Sequence, residues 1–519
     1  MLMISKPVTF VGGKGTVLRI RHQIVIKLDH SANTPYSNID SLSSPYFTVK
    51  QLQQTDTDRV SINTVALEIC ECDDLEQLRT DGESFQSAGK SSHLFHITGR
   101  SMLELNDCKL DAGKAAFCSL VCGGDEPSDR EWQARPLLKM TSSYVTGFKS
   151  IGSECFGNVH ISQCCFESIA GPVLRLHRPR SVHIVKSNFI ECLGTCIQLS
   201  AENCQIESKA IIEACDFKRN RKECIYVAPD TYINSLLEVR IEDCTFMDNS
   251  SNCVKAYRSE STILKLTNCS FVQSKKSPIE IEDCGQRSEI VSNYFSANEG
   301  TCISCLGSPI IVFYNEMVEN WAGISASCTQ QRAKSHVKYV DRFLNNSTDS
   351  MSHHIGVELY KNTIKSCFES GIEIYGISYF TPKIANNLVE GCKNGIFIDT
   401  VYAGPVPEER LECESTSVSL GCSSSRSTDL GYTSTIIRLL NMQVDNCKQN
   451  CLRVADHSCI VILSGGRLSS LIGNAISLIG KNEDMLKVEI SNVRQTLVDG
   501  KVKELEYSSQ PEKSQCSLI

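Results

Sequence analysis

The chain has 519 residues, and 41% of them are hydrophobic, which is enough for a packed interior and excludes a globally disordered protein. It carries 52 basic and 60 acidic residues, a net charge of −8. Nucleic-acid-binding proteins normally show a basic face, so no nucleic-acid partner is expected. No apolar run is long enough for a membrane-spanning helix.

The 28 cysteines are too dilute for a small disulfide scaffold. The N-terminal MLMISKPVTFVGGKG is interrupted by Lys6 and Pro7 and has no cleavage pattern of a signal peptide. We therefore expect reduced thiols and a cytoplasmic protein; a start site placed downstream of a true signal would make it an exported one. The last residues, Cys516 to Ile519, fit a C-a-a-X motif, which makes Cys516 a lipidation candidate and the only expected link to a membrane.

The strongest signal is an internal repeat, an alternating apolar strand followed by a polar corner and a large apolar residue. The segments VHISQCCFES (159–168) and VRIEDCTFMDN (239–249) are examples. The large residue recurs at intervals of 21 to 29 residues, at Phe166, Phe189, Phe217, Phe246, Phe271, Phe295, Met317, Phe343, Ile364 and Leu388. Weaker copies follow at Val444, Leu468 and Val493, and Leu110 and Val145 precede them.

A second alternating strand follows each first one, for example CIQL (196–199), GIEI (371–374) and GIFI (395–398). Its period of two predicts a β-strand with one inward face. Three residues after the large apolar position lies a column of small polar residues, which we expect to hydrogen-bond along a corner as an asparagine ladder. Its members are Cys192, Asn220, Asn249, Ser274, Asn298, Asn320, Asn346 and Cys367.

Strand–corner–strand units without helices predict an all-β fold, a single-stranded right-handed parallel β-helix of about 15 turns of roughly 24 residues with loop excursions. The pattern resembles that of right-handed parallel β-helix proteins of the pectin-lyase-like superfamily, and in particular the repeat region of carbohydrate-binding proteins and sugar hydrolases. The sequence motif typical of that repeat is present in residues 369–399, ESGIEIYGISYFTPKIANNLVEGCKNGIFID. The resemblance specifies the fold well and the function poorly, because the superfamily holds both enzymes and binders.

We divide the chain into an N-terminal cap with irregular first turns (1–100), a regular β-helix (101–400), a Ser/Cys-rich insertion (401–435), C-terminal turns (436–500) and a polar tail (501–519). Residues 388 to 444 span about two repeat lengths.

Catalysis by a carbohydrate-active β-helix would require acidic residues clustered on one face of adjacent turns. The predicted outward row of the second strand shows no tight acidic cluster. It runs through Arg175, Gln198, Tyr226, Lys255, Glu280, Ser304, Ser325, Glu373, Phe397 and Arg453. No catalytic residue is therefore assigned. The lone Cys302-x-x-Cys305 motif lacks the second pair of a zinc knuckle, so we interpret it and the other repeated cysteines as core thiols and predict neither a metal nor a cofactor.

Two groups of residues are candidate binding sites. The basic segment 175–186 includes Arg175, His177, Arg178 and Arg180, which suit an acidic ligand. Aromatic side chains on or near one outward face suit sugar rings or a protein partner; they are Tyr226, Tyr257, Tyr375 and Phe397. We expect a non-catalytic scaffold that binds a protein or glycan partner along its sheet face. The alternatives are a carbohydrate-active lyase or hydrolase with a divergent site and an exported surface adhesin.

Overall fold

A computed structural model describes the chain in segments. They are residues 8–11, 17–20, 24–28, 49–51, 59–63, 66–69, 93–97, 102–111, 119–123, 137–153, 158–177, 179–200, 208–228, 236–259, 262–328, 355–376, 380–399, 435–455, 459–470, 474–479, 487–491, 494–496 and 502–504. Every regular element in these segments is a β-strand.

The strands of the first third are, in chain order, β1 (Val8–Val11), β2 (Val17–Ile20), β3 (Ile24–Leu28), β4 (Val49–Gln51), β5 (Arg59–Asn63), β6 (Ala66–Ile69), β7 (His93–Ile97), β8 (Met102–Asn106), β9 (Lys109–Asp111), β10 (Ser119–Gly123), β11 (Leu137–Thr141), β12 (Tyr144–Thr146), β13 (Ser150–Ser153), β14 (Asn158–Ser162), β15 (Cys165–Glu167), β16 (Leu174–His177), β17 (Ser181–Val185), β18 (Asn188–Ile190) and β19 (Ile197–Ser200).

The middle of the chain adds β20 (Ser208–Glu213), β21 (Asp216–Lys218), β22 (Ile225–Val227), β23 (Leu237–Glu242), β24 (Thr245–Met247), β25 (Val254–Tyr257), β26 (Thr262–Thr267), β27 (Ser270–Val272), β28 (Ile279–Glu282), β29 (Ser288–Val291), β30 (Tyr294–Ser296), β31 (Thr301–Leu306), β32 (Ile310–Phe313), β33 (Glu316–Val318) and β34 (Ala322–Ser327).

The last part contributes β35 (Ile355–Tyr360), β36 (Thr363–Lys365), β37 (Ser370–Tyr375), β38 (Phe380–Ala385), β39 (Leu388–Glu390), β40 (Asn394–Asp399), β41 (Thr435–Cys447), β42 (Asn450–Ala455), β43 (Cys459–Ser470), β44 (Asn474–Ile479), β45 (Lys487–Ser491), β46 (Arg494–Thr496) and β47 (Val502–Glu504).

These strands form two sheets that wind together as a coil. The first sheet has 31 strands and the second has 16. A typical turn gives a longer and a shorter strand to the first sheet and one strand to the second, as β14, β15 and β16 do. The pairings between successive turns are parallel and in register. The predicted fold class, a right-handed parallel β-helix, is confirmed.

Each turn bends at single residues in the left-handed region of backbone conformation. Between the two first-sheet strands of successive turns these are, among others, Gln163, Lys186 and Ala214, with φ of 56°, 50° and 52°. Such conformations are unfavourable for residues other than glycine. Hydrogen bonds from each bend to the next turn offset that cost, as when Gln163 N donates to Val185 O at 3.0 Å.

The core is a set of columns that run along the coil. Six phenylalanines on successive turns stack face to face, with ring centroids 4.7–5.0 Å apart; they are Phe166, Phe189, Phe217, Phe246, Phe271 and Phe295. Leu110 and Val145 extend the column upstream as predicted. This spacing matches the distance between hydrogen-bonded strands, so the rings repeat with the backbone.

The predicted asparagine ladder is present in the described residues, and a second one accompanies it. In the predicted ladder, Asn249 Oδ1 accepts hydrogen bonds from the backbone N (3.0 Å) and the Nδ2 (3.2 Å) of Asn220. The second ladder lies two residues before the large apolar position, in Asn293, Asn315, Asn362 and Asn387. Asn346 lies outside the described residues. Both ladders are buried, so they satisfy backbone groups that water does not reach.

Three predicted core positions need correction. Met317 pairs directly with Ile364, so Phe343, which lies outside the described residues, is not the intervening member of the column. Val389, not Leu388, pairs with Ile364 and points inward. Gln495, not Val493, is the partner of Leu468. Because Val389 also pairs with Val444, no hidden turn lies between them. The number of residues per turn therefore varies widely along the coil.

Candidate binding site on the second sheet

The outward row predicted for the second strand of each repeat is a continuous ladder. Every successive pair of its members from Arg175 to Arg453 is in register on the second sheet. Its side chains alternate with buried ones, as in Ile372, Glu373 and Ile374. The strand periodicity therefore fixes which residues can meet a partner on this face.

The basic segment is divided between two faces of the coil. Arg175 is exposed and His177 is half-buried on the outward side of β16, in the second sheet. Arg180 is exposed immediately before β17, which belongs to the first sheet. Arg178 and the lipidation candidate Cys516 lie outside the described residues. Arg175 and His177 therefore lie on the second sheet, whereas Arg180 adjoins a strand of the first sheet.

The two upstream aromatic residues, Tyr226 and Tyr257, lie beside ion pairs. The Lys255 Nζ lies 2.9 Å from Glu280 Oε1, and Tyr257 has the Arg258 guanidinium 5.0 Å from its ring centroid. Burial raises the pKa of the half-buried Tyr226. Lys255 and Arg258 each have an acidic partner, Glu280 and Asp283, which leaves these two cations less available to a ligand.

The downstream aromatic residues form a compact group that we call the central face. It comprises outward residues of β34, β37, β40 and β42, namely Ser325, Glu373, Tyr375, Phe397, Asp399 and Arg453. Tyr375 and Phe397 are in edge contact, with ring centroids 5.5 Å apart. The Arg453 guanidinium carbon lies 5.3 Å from the Phe397 ring centroid, and the Arg453 Nε is buried without a hydrogen-bond partner among the described residues.

Two titratable groups on the central face are perturbed. Burial raises the pKa of Glu373, while hydrogen bonds from Ser370 and Tyr375 work in the opposite direction. Burial, followed by the nearby Glu373 carboxylate, raises the pKa of Tyr375. Titratable groups whose pKa values are shifted by burial and by a charged neighbour are common at functional sites.

The sequence analysis missed an aromatic pair next to the central face. Trp321 and Phe368 lie at the corner that precedes β34 and β37, with 46% and 59% of their surfaces exposed. Their rings stack 4.7 Å apart at an interplanar angle of 26°. We call them the corner pair. An alignment of the residues directly after the ladder members Asn320 and Cys367 would have placed them side by side.

The carboxylates on this face have two different spacings. Glu280 and Glu373 are three strands apart, about 14 Å at the usual strand separation, which is too far for joint action on one glycosidic bond. Glu373 and Asp399 are diagonal neighbours on adjacent strands, with Cα atoms about 8 Å apart by standard sheet geometry.

The repeated cysteines are core residues, as predicted. The side chains of 18 cysteines are described; none of them forms a disulfide, and only Cys165 is not fully buried. Within the described strands, no three His, Cys, Asp or Glu side chains are grouped so as to hold a metal ion. The same segments include no helix long and apolar enough to cross a membrane.

Comparisons with known proteins find similarity to one family model and to several solved structures. Residues 231–403 match the family model for the right-handed β-helix region. No curated protein matches the sequence. Solved structures that are similar include the periplasmic alginate epimerase AlgG, at 11% identity and a TM-score of 0.34 over 77% of this chain and 78% of that one. The A-module of the Azotobacter vinelandii mannuronan C-5 epimerase AlgE6 has 10% identity and a TM-score of 0.27 over 93% of this chain and 91% of that one. The family match over residues 231–403 and the two sheets of parallel strands together show that this chain has a right-handed parallel β-helix fold.

Proposed function

We propose that this protein is a β-helix scaffold that binds a glycan on the outward surface of its second sheet, at the central face. The observation that carries the proposal is the contact of Tyr375 with Phe397 beside Arg453. Aromatic rings bind the apolar faces of sugars, and nearby polar groups fix the orientation of the hydroxyls.

A glycan suits the central face better than a protein partner does. Stable protein interfaces have an apolar centre surrounded by a polar rim. Here the polar groups Glu373, Asp399 and Arg453 are interleaved with the two rings at one strand spacing. Each of the two rings thus has hydrogen-bonding groups beside it. A sugar has the complementary pattern, with hydroxyls beside each apolar patch.

The test is direct binding by the full chain. Calorimetry with cello-, manno-, chito- and uronic-acid hexasaccharides is expected to give saturable binding to at least one series. The Y375A/F397A variant should bind that series at least about tenfold more weakly, because each lost stacking contact removes about 1 kcal/mol. Tyr294→Ala, at an exposed tyrosine of the first sheet, should bind as the natural protein does. Absence of binding to all series, or unchanged binding by Y375A/F397A, would refute the proposal.

The diagonal pair of Glu373 and Asp399 favours a second candidate, glycoside hydrolysis. A carboxyl group whose pKa is raised by burial suits a general acid, and a second carboxylate at about 6.5–9.5 Å suits a base that activates water. Product analysis of the bound hexasaccharide separates the two functions. Cleavage that disappears in both E373Q and D399N would establish hydrolysis. An intact ligand would show that the protein binds the glycan without cleaving it.

We also propose a reducing compartment for the protein, because the cysteines whose side chains the structure describes form no disulfides and all but Cys165 are buried. The alternative is an exported surface adhesin in an oxidising environment.

A further inference from the structure

The corner pair exposes two stacked aromatic rings that pack on no other described aromatic side chain. Trp321 and Phe368 are among the few large hydrophobic side chains that are strongly exposed, and they form a ring contact with each other. Exposed aromatic surface that is rigid and flat is a common mark of a binding site.

The backbone holds the corner pair in place before any ligand arrives. Trp321 N donates to Asn298 O at 2.9 Å, and Phe368 N donates to Asn320 O at 2.9 Å. Asn298 and Asn320 are buried members of the first ladder. The rings therefore project from a corner whose geometry the ladder fixes, and little conformational entropy is lost on binding.

The corner pair is continuous with the central face along β37. Glu369 follows Phe368 directly, and its carboxylate forms hydrogen bonds of 3.0 and 2.8 Å with Lys393 Nζ. Ser370 and Glu373 come next, and Tyr375 ends the strand. Aromatic groups therefore lie at both ends of one strand, with polar groups between them.

We propose that the corner pair is a second sugar-stacking subsite, and that the glycan crosses the coil along β37 from the corner to Tyr375. This inference rests on the proposed function and adds the length and direction of the ligand. Phe368 and Tyr375 are seven residues apart, at most about 23 Å along an extended strand. A hexasaccharide reaches both subsites and a disaccharide reaches only one.

A protein partner is the less suitable occupant of the corner pair. The Glu369–Lys393 ion pair lies directly beside the two rings. A stable protein interface, in contrast, buries about 800 Å² on each partner around an apolar centre. A pyranose ring covers an aromatic pair and places its hydroxyls at the charged border.

The test compares ligand lengths in the full chain. Calorimetry would use the disaccharide and the hexasaccharide of the series that the natural protein binds. W321A/F368A should bind the hexasaccharide about tenfold more weakly and the disaccharide unchanged, while Y375A/F397A should lose affinity for both. Tyr294→Ala is the matched control for an exposed aromatic residue, and far-UV circular dichroism confirms that each variant is folded.

The outcomes are distinct. Unchanged hexasaccharide binding by W321A/F368A, with loss in Y375A/F397A, would overturn the corner subsite and leave the proposed function intact. An equal loss for the disaccharide and the hexasaccharide in W321A/F368A would overturn the crossing arrangement. If the natural protein binds no glycan, the proposed function fails and the corner subsite fails with it.

Discussion

Asn315 and Asn362 are 47 residues apart in the sequence and lie on successive turns of the coil. Asn315 Nδ2 donates a hydrogen bond of 3.0 Å to Asn362 Oδ1, which also accepts one of 3.0 Å from Asn315 N. Both amides are buried. The residues between β34 and β35 are therefore an insertion at the end of a second-sheet strand, and the ladder continues past it without a break.

Replacing Asn315 tests how much the second ladder contributes to stability. Asn315→Ala removes the acceptor used by Asn293 and the donors to Ile290 O and Phe313 O. Unpaired buried groups would remain, so the free energy of unfolding should fall by about 2–4 kcal/mol in urea titrations. Asn188→Ala, on the outward side of β18, is the control and should change it by less than about 0.5 kcal/mol. Equal effects of the two substitutions would contradict this role.

The phenylalanine column gives a second stability prediction. Phe246 lies between Phe217 and Phe271, with centroid distances of 4.8 and 4.7 Å. Phe246→Ala should leave a cavity and lower the free energy of unfolding by about 3–5 kcal/mol. Phe368→Ala removes the same atoms from an exposed site and loses only its stacking on Trp321, so it should cost no more than about 1.5 kcal/mol. Similar denaturation midpoints for the two variants would show that the column is not the main source of stability.

The sequence predicted the coil and its outward ladder because both follow from strand periodicity, which is local. It misplaced Leu388 because Leu388 and Val389 are both aliphatic, and alternation alone does not choose between them. The choice follows from Asn387, whose amide must be buried in the second ladder beside Asn362. The corner pair was missed for a related reason: Trp321 and Phe368 become neighbours only once the insertion before β35 is set aside.

The half-buried carboxyl group of Glu373 should make stability depend on pH. Burial raises its pKa in the folded state, so its contribution is fully favourable at low pH and is lost as the pH rises through the raised value. Glu373→Gln removes a group that is costly to ionise. Thermal melts should therefore show E373Q to be more stable than the natural protein near neutral pH, with the difference vanishing below the pKa of an ordinary glutamate. Glu316→Gln, at an exposed position of β33, should show no such trend. A constant difference across the pH range would refute the assignment.

Two adjacent cysteines provide a matched test of core burial. Cys164 points inward and burial raises its pKa to about 11. Cys165 points outward and is half-buried; burial raises its pKa as well, but its sulfur is the more accessible of the two. Only the thiolate reacts with iodoacetamide, so Cys165 in the native protein should be alkylated at least about tenfold faster than Cys164. Peptide mass spectrometry after timed labelling measures both rates in one sample. Equal rates would mean that the coil opens at β15 during the reaction.

The state of all 28 cysteines in protein from its native source tests the compartment. Alkylation under denaturing conditions without a reductant, followed by intact-mass measurement, should label nearly all of them, because no disulfide joins the cysteines whose side chains the structure describes. A prenyl mass on Cys516 with loss of the last three residues would add a membrane surface to the cytoplasmic expectation. Blocked thiols together with glycan mass would contradict it, because disulfides form and persist in oxidising compartments. That result would instead favour the exported adhesin, with the same second-sheet face presented outside the cell.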